Sequence, residues 1–165
     1  MKKHTALVLI VLVGLMVANT GQAFQIGMEA PDFELSSFEN DPLHLKRLLE
    51  EDKPLLLVFW TTWCPYCKKE MKAVNKLYTE SESKNMTIIG INAGWNDSVS
   101  RAKVFQDRFG IQFPLAFDHE NVVSQDYMIR GVPSLVLVDR EGTIAYRGHA
   151  LTPELKDMLA KLLES

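Results

Sequence analysis

Residues 55–70 read LLLVFWTTWCPYCKKE and place two cysteines, Cys64 and Cys67, between two predicted elements. The first six residues of this stretch are all apolar, which is typical of a strand that is covered on both faces. Pro65 suits the first turn of a helix, where a backbone N–H has no partner in any case, and a helix is predicted over residues 65–83. The stretch therefore predicts a buried strand that leads into a helix, with the cysteines at the junction.

The position of the two cysteines predicts a pair that exchanges disulfides. Cys64 would lie at the N-terminus of the helix, where the helix dipole and free N–H groups stabilise a thiolate. Cys67 would lie one turn inside the helix and be more buried. An attacking thiol and a resolving thiol are the two parts that disulfide exchange needs. The Cys64–Cys67 disulfide would then be the redox group itself, and no metal or other cofactor is expected.

Four other uses of the cysteines compete with this interpretation. A structural disulfide across so few residues would constrain little of the unfolded chain, and a zinc site would need a second pair of ligands that the sequence does not offer. A copper site would need one of His44, His119 and His149 to approach the cysteines, and this stays open. The spacing of Thr61 and Cys64, three residues apart, resembles that of a peroxidase. The second cysteine so close by favours disulfide exchange instead.

The composition is that of one ordinary folded domain. Of 165 residues, 47% are hydrophobic and 24% are charged, which is enough apolar material for a core and argues against disorder. The formal net charge of −3 shows no basic excess, so nucleic acid is not an expected partner.

Residues 1–23 have the layout of a secretory signal peptide. Lys2 and Lys3 form a basic start, an uncharged apolar run covers residues 6–18, and Gly21 and Ala23 are the small residues that a signal peptidase reads. The run is short for a membrane span, which needs about 20 apolar residues, but an uncleaved N-terminal membrane anchor stays open. The mature domain would comprise residues 24–165 and work in the periplasm or at the outer face of the cytoplasmic membrane.

The rest of the chain alternates between predicted strands and helices. Strands are predicted at residues 87–92, 134–138 and 143–147, and helices at residues 98–109, at 121–128 and from residue 152 onward. Short strands near residues 33–35 and 43–45 and a short helix over 45–51 precede them. This order predicts an α/β fold with a mixed central sheet flanked by helices.

These features resemble the thioredoxin superfamily, and within it the extracytoplasmic TlpA/ResA-like thiol-disulfide oxidoreductases, which are close to the cytochrome c maturation thioredoxins. The resemblance rests on the WCPYC motif at residues 63–67, on Gly131-Val132-Pro133, on the APDFEL segment at residues 30–35, and on similar stretches at 67–70, 89–92 and 136–142. It covers about residues 26–163. It implies a thioredoxin fold with an N-terminal extension and an extra strand–helix insertion over residues 96–128.

The resemblance also implies how a substrate would bind. Pro133 would follow a cis peptide bond and lie against the disulfide, and the backbone of Val132 would pair with an incoming substrate strand. Trp63, Pro65 and Tyr66 would form the rest of the substrate-binding surface. The Pro65-Tyr66 dipeptide also resembles that of glutaredoxins, and it leaves the direction of electron flow open.

Glu70 is the remaining candidate for the chemistry. It lies about one helical turn after Cys67, at the border of the apolar stripe, so its carboxyl group could take up the proton of Cys67. The alternative is a solvated surface glutamate. The resemblance supports the first interpretation, because the ResA-like proteins have a functional glutamate at the matching position. Thioredoxin itself has a buried aspartate in the preceding strand, where this chain has Val58.

The resemblance implies a protein thiol-disulfide oxidoreductase that acts most often as a reductant. Its substrates would be protein disulfides, with apocytochrome c as the first choice. A membrane thiol electron donor would reduce the Cys64–Cys67 disulfide again. Two alternatives stay open: an oxidant of envelope proteins, and a copper metallochaperone that uses the same cysteines as ligands.

Overall fold

A computed structural model describes residues 26–80 and 85–164 of the chain. The predicted signal peptide or anchor, residues 1–23, lies outside the described residues. Within the described ranges, no helix has the length and apolar character needed to cross a membrane.

The described residues form a two-stranded hairpin and a five-stranded mixed sheet with helices. In chain order, the elements are β1 (Glu34–Ser36), β2 (Pro42–His44), α1 (Leu45–Leu49), β3 (Leu55–Trp60), α2 (Pro65–Thr79), β4 (Thr87–Asn92), α3 (Val99–Phe109), β5 (Leu115–Phe117), a 3-10 turn (His119–Asn121), α4 (Val122–Asp126), β6 (Ser134–Val138), β7 (Ile144–Gly148) and α5 (Pro153–Glu164). The five strands lie in the order β5-β4-β3-β6-β7. The pairs β3–β4 and β4–β5 are parallel, and the pairs β3–β6 and β6–β7 are antiparallel. This confirms the predicted α/β class and its mixed central sheet.

The topology brings three distant segments to one edge of the sheet. Because β3 and β4 are parallel and joined through α2, both strands end at the same edge. Strand β6 runs the other way, so its first residue, Ser134, pairs with Phe59 near the end of β3. Residues 61–64, 93–97 and 131–133 therefore all lie at that edge.

The core occupies both faces of the sheet. On one face, side chains of α2, α3 and α5 pack together, among them Met71, Phe105 and Leu155, and Cys67 belongs to this cluster. On the other face, Phe33 of the N-terminal extension packs near Tyr127, which follows α4. Cys67 is thus part of the apolar core as well as of the site.

The N-terminal extension pairs with both outer strands of the sheet. Next to β7, the Gly27 N–H donates to the Ile144 carbonyl at 2.8 Å. Next to β5, the Phe38 N–H donates to the Leu115 carbonyl, also at 2.8 Å. Because unpaired outer strands invite pairing with other chains, the extension protects the two outer strands, β5 and β7.

Three helices are shorter than the sequence patterns predicted, and one of them, α1, ends at Leu49 rather than at residue 51. Helix α2 ends at Thr79 rather than at residue 83, because the backbone of Glu80 is extended, with φ −75° and ψ 151°. Helix α4 spans Val122–Asp126 rather than residues 121–128, because Asn121 and Met128 have φ angles of 60° and 48°. Positive φ angles do not continue a right-handed helix. The other predicted elements agree closely with the observed ones.

Candidate active site

Cys64 is the N-cap residue of α2 and the first of two thiols in the site. Its backbone is extended, with φ −77° and ψ 117°, so the chain enters the helix directly after this residue. Its Sγ accepts a hydrogen bond from the backbone N–H of Cys67 at 3.2 Å. The contact satisfies one of the backbone N–H groups that the first helical turn leaves without a partner inside the helix.

Cys67 is a buried thiol one turn behind Cys64. Both cysteines are free thiols in the structure, and Cys67 is 0% exposed whereas Cys64 is 3% exposed. Burial raises the pKa of the Cys67 thiol, and a side-chain hydrogen bond between the two thiols raises it further. Cys64 also exposes little surface, so a substrate must make close contact with the surrounding loops to reach its sulfur.

The raised pKa of Cys67 predicts a pH-dependent stability of the dithiol form. In the unfolded chain a thiol ionises near about pH 8.5, whereas folded Cys67 keeps its proton to higher pH. Above about pH 8.5 the unfolded state therefore binds fewer protons, and the free energy of unfolding falls by up to about 1.4 kcal/mol per pH unit. Urea unfolding of the reduced protein above and below this pH measures the slope. A Cys67→Ala variant should lose this part of the slope, and equal slopes in the two proteins would contradict the prediction.

The segment of Val132 and Pro133 lies directly beside Cys64. The peptide bond between these two residues is cis. The Cys64 thiol donates a hydrogen bond to the Val132 carbonyl, with an Sγ–O distance of 3.4 Å. Among the described residues, the Val132 N–H has no hydrogen-bond partner. A backbone donor without a partner and a backbone acceptor that bonds to Cys64 itself therefore lie next to the thiol at the start of α2.

Glu70 is buried in the site rather than solvated. It is 8% exposed, and its Oε1 accepts a hydrogen bond from the Leu151 backbone N–H at 2.5 Å. Leu151 lies between β7 and α5, so this contact joins the helix that carries the cysteines to that loop. Within the described ranges, Glu70 makes no hydrogen bond to either cysteine, and Val58 of β3 is fully buried and apolar. Glu70 is thus a buried carboxyl group one helical turn from Cys67.

The side chains predicted to contact a substrate are exposed around the cysteines. Tyr66 is 76% exposed and Trp63 is 50% exposed, and Pro65 is exposed as well. The indole N–H of Trp63 donates to the Trp95 carbonyl at 2.6 Å, which holds the ring beside the loop after β4. The structure therefore surrounds Cys64 with an apolar, accessible surface.

Asp97 is a further site residue, and no sequence pattern pointed to it. Its side chain is 0% exposed and lies 3.5 Å from the guanidinium of Arg101. Its carboxylate accepts hydrogen bonds from the Thr62 backbone N–H at 2.6 Å, from the Thr62 hydroxyl at 2.8 Å and from the Asn92 amide at 2.9 Å. Asp97 therefore ties the loop before Cys64 to the end of β4. The signal that could have revealed it is an acidic residue shortly after a buried strand, at the edge where the cysteines lie.

The described part of the chain shows where the candidate partners of Cys64 for copper or peroxide chemistry lie. That part contains no group of three or more His, Cys, Asp or Glu side chains placed to hold a metal ion. His149, a candidate copper ligand, instead hydrogen-bonds through Nδ1 to the Pro133 carbonyl at 2.9 Å. The buried hydroxyl of Thr61 has no hydrogen-bond partner within the same described ranges.

Comparison with known sequences identifies relatives along most of the chain. Residues 26–147 match the AhpC/TSA family. The chain is 32% identical to the thiol-disulfide oxidoreductase ResA of Bacillus anthracis over 143 residues. This alignment covers 86% of this chain and 80% of that protein. It is 30% identical to ResA of Bacillus cereus, over 98% of this chain and 99% of that protein.

Solved structures have the same fold. StoA of Bacillus subtilis superposes with a TM-score of 0.68 at 21% identity, covering 79% of this chain and 97% of that one. A Chlorobium tepidum protein described as a candidate thiol:disulfide interchange protein DsbE gives a TM-score of 0.71 at 23% identity, covering 86% and 97%. These similarities confirm the predicted thioredoxin fold. The chain therefore belongs to the AhpC/TSA family of thioredoxin-fold proteins, and the thiol-disulfide oxidoreductases named ResA are its relatives within that fold.

Proposed function

We propose that this protein is an extracytoplasmic thiol-disulfide oxidoreductase that reduces disulfides of other proteins with Cys64 and Cys67. One observation carries the proposal: a helix-capping thiol lies beside the backbone of Val132, with a second, buried thiol one turn behind it. The relatives that are named thiol-disulfide oxidoreductases support the same activity. The disulfide of the pair is the redox group, and the proposed reaction uses no metal or other cofactor.

The proposed reaction has two steps and transfers two electrons. The Cys64 thiolate attacks one sulfur of the substrate disulfide, forms a mixed disulfide and releases the other substrate sulfur as a thiolate, which takes up a proton. The Cys67 thiolate then attacks Cys64 Sγ and releases the second substrate sulfur. The substrate leaves with two thiols, and the protein holds a Cys64–Cys67 disulfide that an external dithiol must reduce.

The backbone of Val132 is the proposed docking point for an extended substrate segment. Its N–H is available already, and its carbonyl becomes available once Cys64 ionises, because a thiolate has no hydrogen to donate. Trp63, Pro65 and Tyr66 provide the exposed surface against which substrate side chains pack. A strand that pairs with the Val132 backbone would bring its own disulfide to Cys64.

Glu70 is the proposed acceptor for the proton of Cys67. Because burial raises the pKa of Cys67, this thiol needs a nearby base to react at neutral pH. Oε1 of Glu70 is engaged by Leu151, whereas Oε2 has no hydrogen-bond partner among the described residues. Oε2 is therefore the oxygen available for the proton.

A Glu70→Gln variant should slow the second step by about a hundredfold, which is a typical contribution of general base catalysis. Glutamine can still accept the hydrogen bond from Leu151, so the change removes the proton acceptor and leaves the contact. Rapid-quench measurement of mixed-disulfide decay gives the rate, and the pH dependence of thiol alkylation should shift as well. Exposed Glu141 supplies the control, because Glu141→Gln should leave both unchanged. An unaltered alkylation profile for Glu70→Gln would contradict the proposed role.

The reducing direction follows the resemblance to the TlpA/ResA-like proteins. A strongly oxidising pair owes its potential to a stabilised reduced form. Cys67 does not supply that stabilisation, because burial raises its pKa and the thiol keeps its proton at neutral pH.

The equilibrium reduction potential of residues 24–165 tests this direction. A reductant should have a potential near or below about −220 mV, in the range of thioredoxin and the glutaredoxins. Equilibration with glutathione or dithiothreitol buffers, followed by thiol alkylation and mass analysis, measures it. A potential near about −120 mV would overturn the reductant proposal and favour an oxidant of envelope proteins.

The proposed location and partners rest on the sequence. The basic start and the apolar run of residues 6–18 support export as a signal peptide, or retention as a membrane anchor. Outside the cytoplasm a cysteine pair tends to oxidise, so a membrane thiol donor is required to keep it reduced. Haem-binding cysteines of apocytochrome c are the proposed protein substrates, because oxidised cysteines there must be reduced before haem can attach.

A further inference from the structure

His149 lies in the loop between β7 and α5, within hydrogen-bond distance of the segment beside Cys64. Its Nδ1 is 2.9 Å from the Pro133 carbonyl oxygen. Because a carbonyl oxygen only accepts hydrogen bonds, Nδ1 must carry the hydrogen. The residue is exposed, and Nδ1 also lies 3.5 Å from the Ser134 hydroxyl oxygen, so these two contacts of Nδ1 link the ring to the segment.

The segment of Val132 and Pro133 depends on contacts of this kind. It precedes the first ladder pair of β6, in which Ser134 pairs with Phe59, and proline has no N–H to donate. Its two carbonyl oxygens accept from the Cys64 thiol and from His149, respectively. Nearby, the Ser134 hydroxyl donates to the Gly131 carbonyl at 2.7 Å and closes the turn before the strand.

The Cys64 contact is lost in the reaction, whereas the His149 contact does not involve the reacting atoms. Once Cys64 is a thiolate, or is joined to a substrate, it has no hydrogen to donate to Val132. The hydrogen bond from His149 to Pro133 involves neither cysteine, so the reaction does not have to break it. It therefore holds the segment at the moment when a substrate strand pairs with it.

The backbone around His149 is itself well anchored. The preceding residue, Gly148, pairs with Leu135 in the β6–β7 ladder, and two residues later the Leu151 N–H binds Glu70. The loop thus connects the strand beside Cys64 with the helix that carries both cysteines.

We infer that His149 is a positioning residue for protein substrates, which holds Val132 and Pro133 in place for strand pairing while Cys64 reacts. The inference rests on the proposed disulfide reductase function. A substrate without peptide groups makes no pairing with Val132 and does not need this support. His149 therefore selects for extended peptide disulfides over small ones.

A His149→Ala variant should raise KM for a fluorescent peptide with one internal disulfide by about fivefold, the usual worth of one hydrogen bond. Its kcat for that peptide, and its rate with the small disulfide cystamine, should stay near wild type. His149→Asn, whose amide nitrogen can replace Nδ1, should restore KM. His44→Ala, a change in the N-terminal hairpin, is the matched control. If the alanine variant unfolds, His149→Leu keeps the volume, removes the donor and gives the same readout.

Two results would overturn the inference while leaving the proposed function in place. One is an unchanged KM for the peptide in the folded alanine or leucine variant. The other is an equal loss toward the peptide and cystamine, which would indicate a general effect on the cysteines. A wild-type protein that reduces neither substrate would instead overturn the proposed function, and this inference with it.

Discussion

A Cys67→Ser variant should stop halfway through the reaction and accumulate as a covalent complex with its substrate. Cys64 keeps its position at the start of α2, so it still attacks, but a serine hydroxyl does not displace the substrate from Cys64 Sγ. Turnover should fall by at least about a thousandfold, as expected when one of two essential reacting groups is removed. Mass spectrometry of an acid-quenched reaction with a disulfide peptide would show the mass of protein plus peptide.

The Cys64→Ser variant is the control for this order of attack. Its turnover should fall by a similar factor, but it should form no complex, because Cys67 is fully buried and its pKa is raised. A stable complex through Cys67 in this variant would show that the two thiols have the opposite roles. A Cys67→Ser protein that still turns over would contradict the two-thiol reaction altogether.

An Asp97→Ala variant should lose about 3 kcal/mol of stability and react more slowly at Cys64. Its carboxylate accepts from two donors of Thr62 and from the amide of Asn92. A buried donor that loses its partner costs about 1–3 kcal/mol. Four donors lose theirs here, the fourth being the Ser98 backbone N–H, and each is only partly buried, so the cost per donor falls toward the low end. Urea unfolding measures the first effect, and the rate of Cys64 alkylation measures the second, because the loop of Thr62 leads directly to the cysteine.

Asp107 offers the control, since it is an exposed aspartate on α3, the helix that begins two residues after Asp97. Asp107→Ala should change the free energy of unfolding by less than about 0.5 kcal/mol and leave alkylation unchanged. Asp97→Asn should fall between the two, because it keeps the shape and one acceptor oxygen. Equal stabilities of Asp97→Ala and Asp107→Ala would show that the contacts of Asp97 contribute nothing.

Local patterns predicted most of the secondary structure. The apolar run of β3 and the turn into α2 at Pro65 indicate a buried strand and a helix start wherever they occur in a chain. The helix predicted from residue 98 likewise begins there, with Ser98 as its cap, since the Ser98 hydroxyl accepts from the Arg101 N–H at 3.3 Å. The helix ends at Thr79 and Asp126 were missed because they depend on single backbone angles in the residues that follow.

The sequence by itself determined that two thiols lie at a helix start, because this placement depends on residues next to each other in the chain. It also determined that Glu70 lies one turn from Cys67, since helix geometry sets that spacing. Only the tertiary structure decided which groups surround them: Asp97 under the loop of Thr62, Leu151 on Glu70, and His149 on Pro133. Those contacts join residues 35, 81 and 16 positions apart, and they exist because a mixed sheet brings the ends of β3 and β4 and the start of β6 to one edge. No local pattern encodes that meeting, which follows from strand pairing across the whole domain.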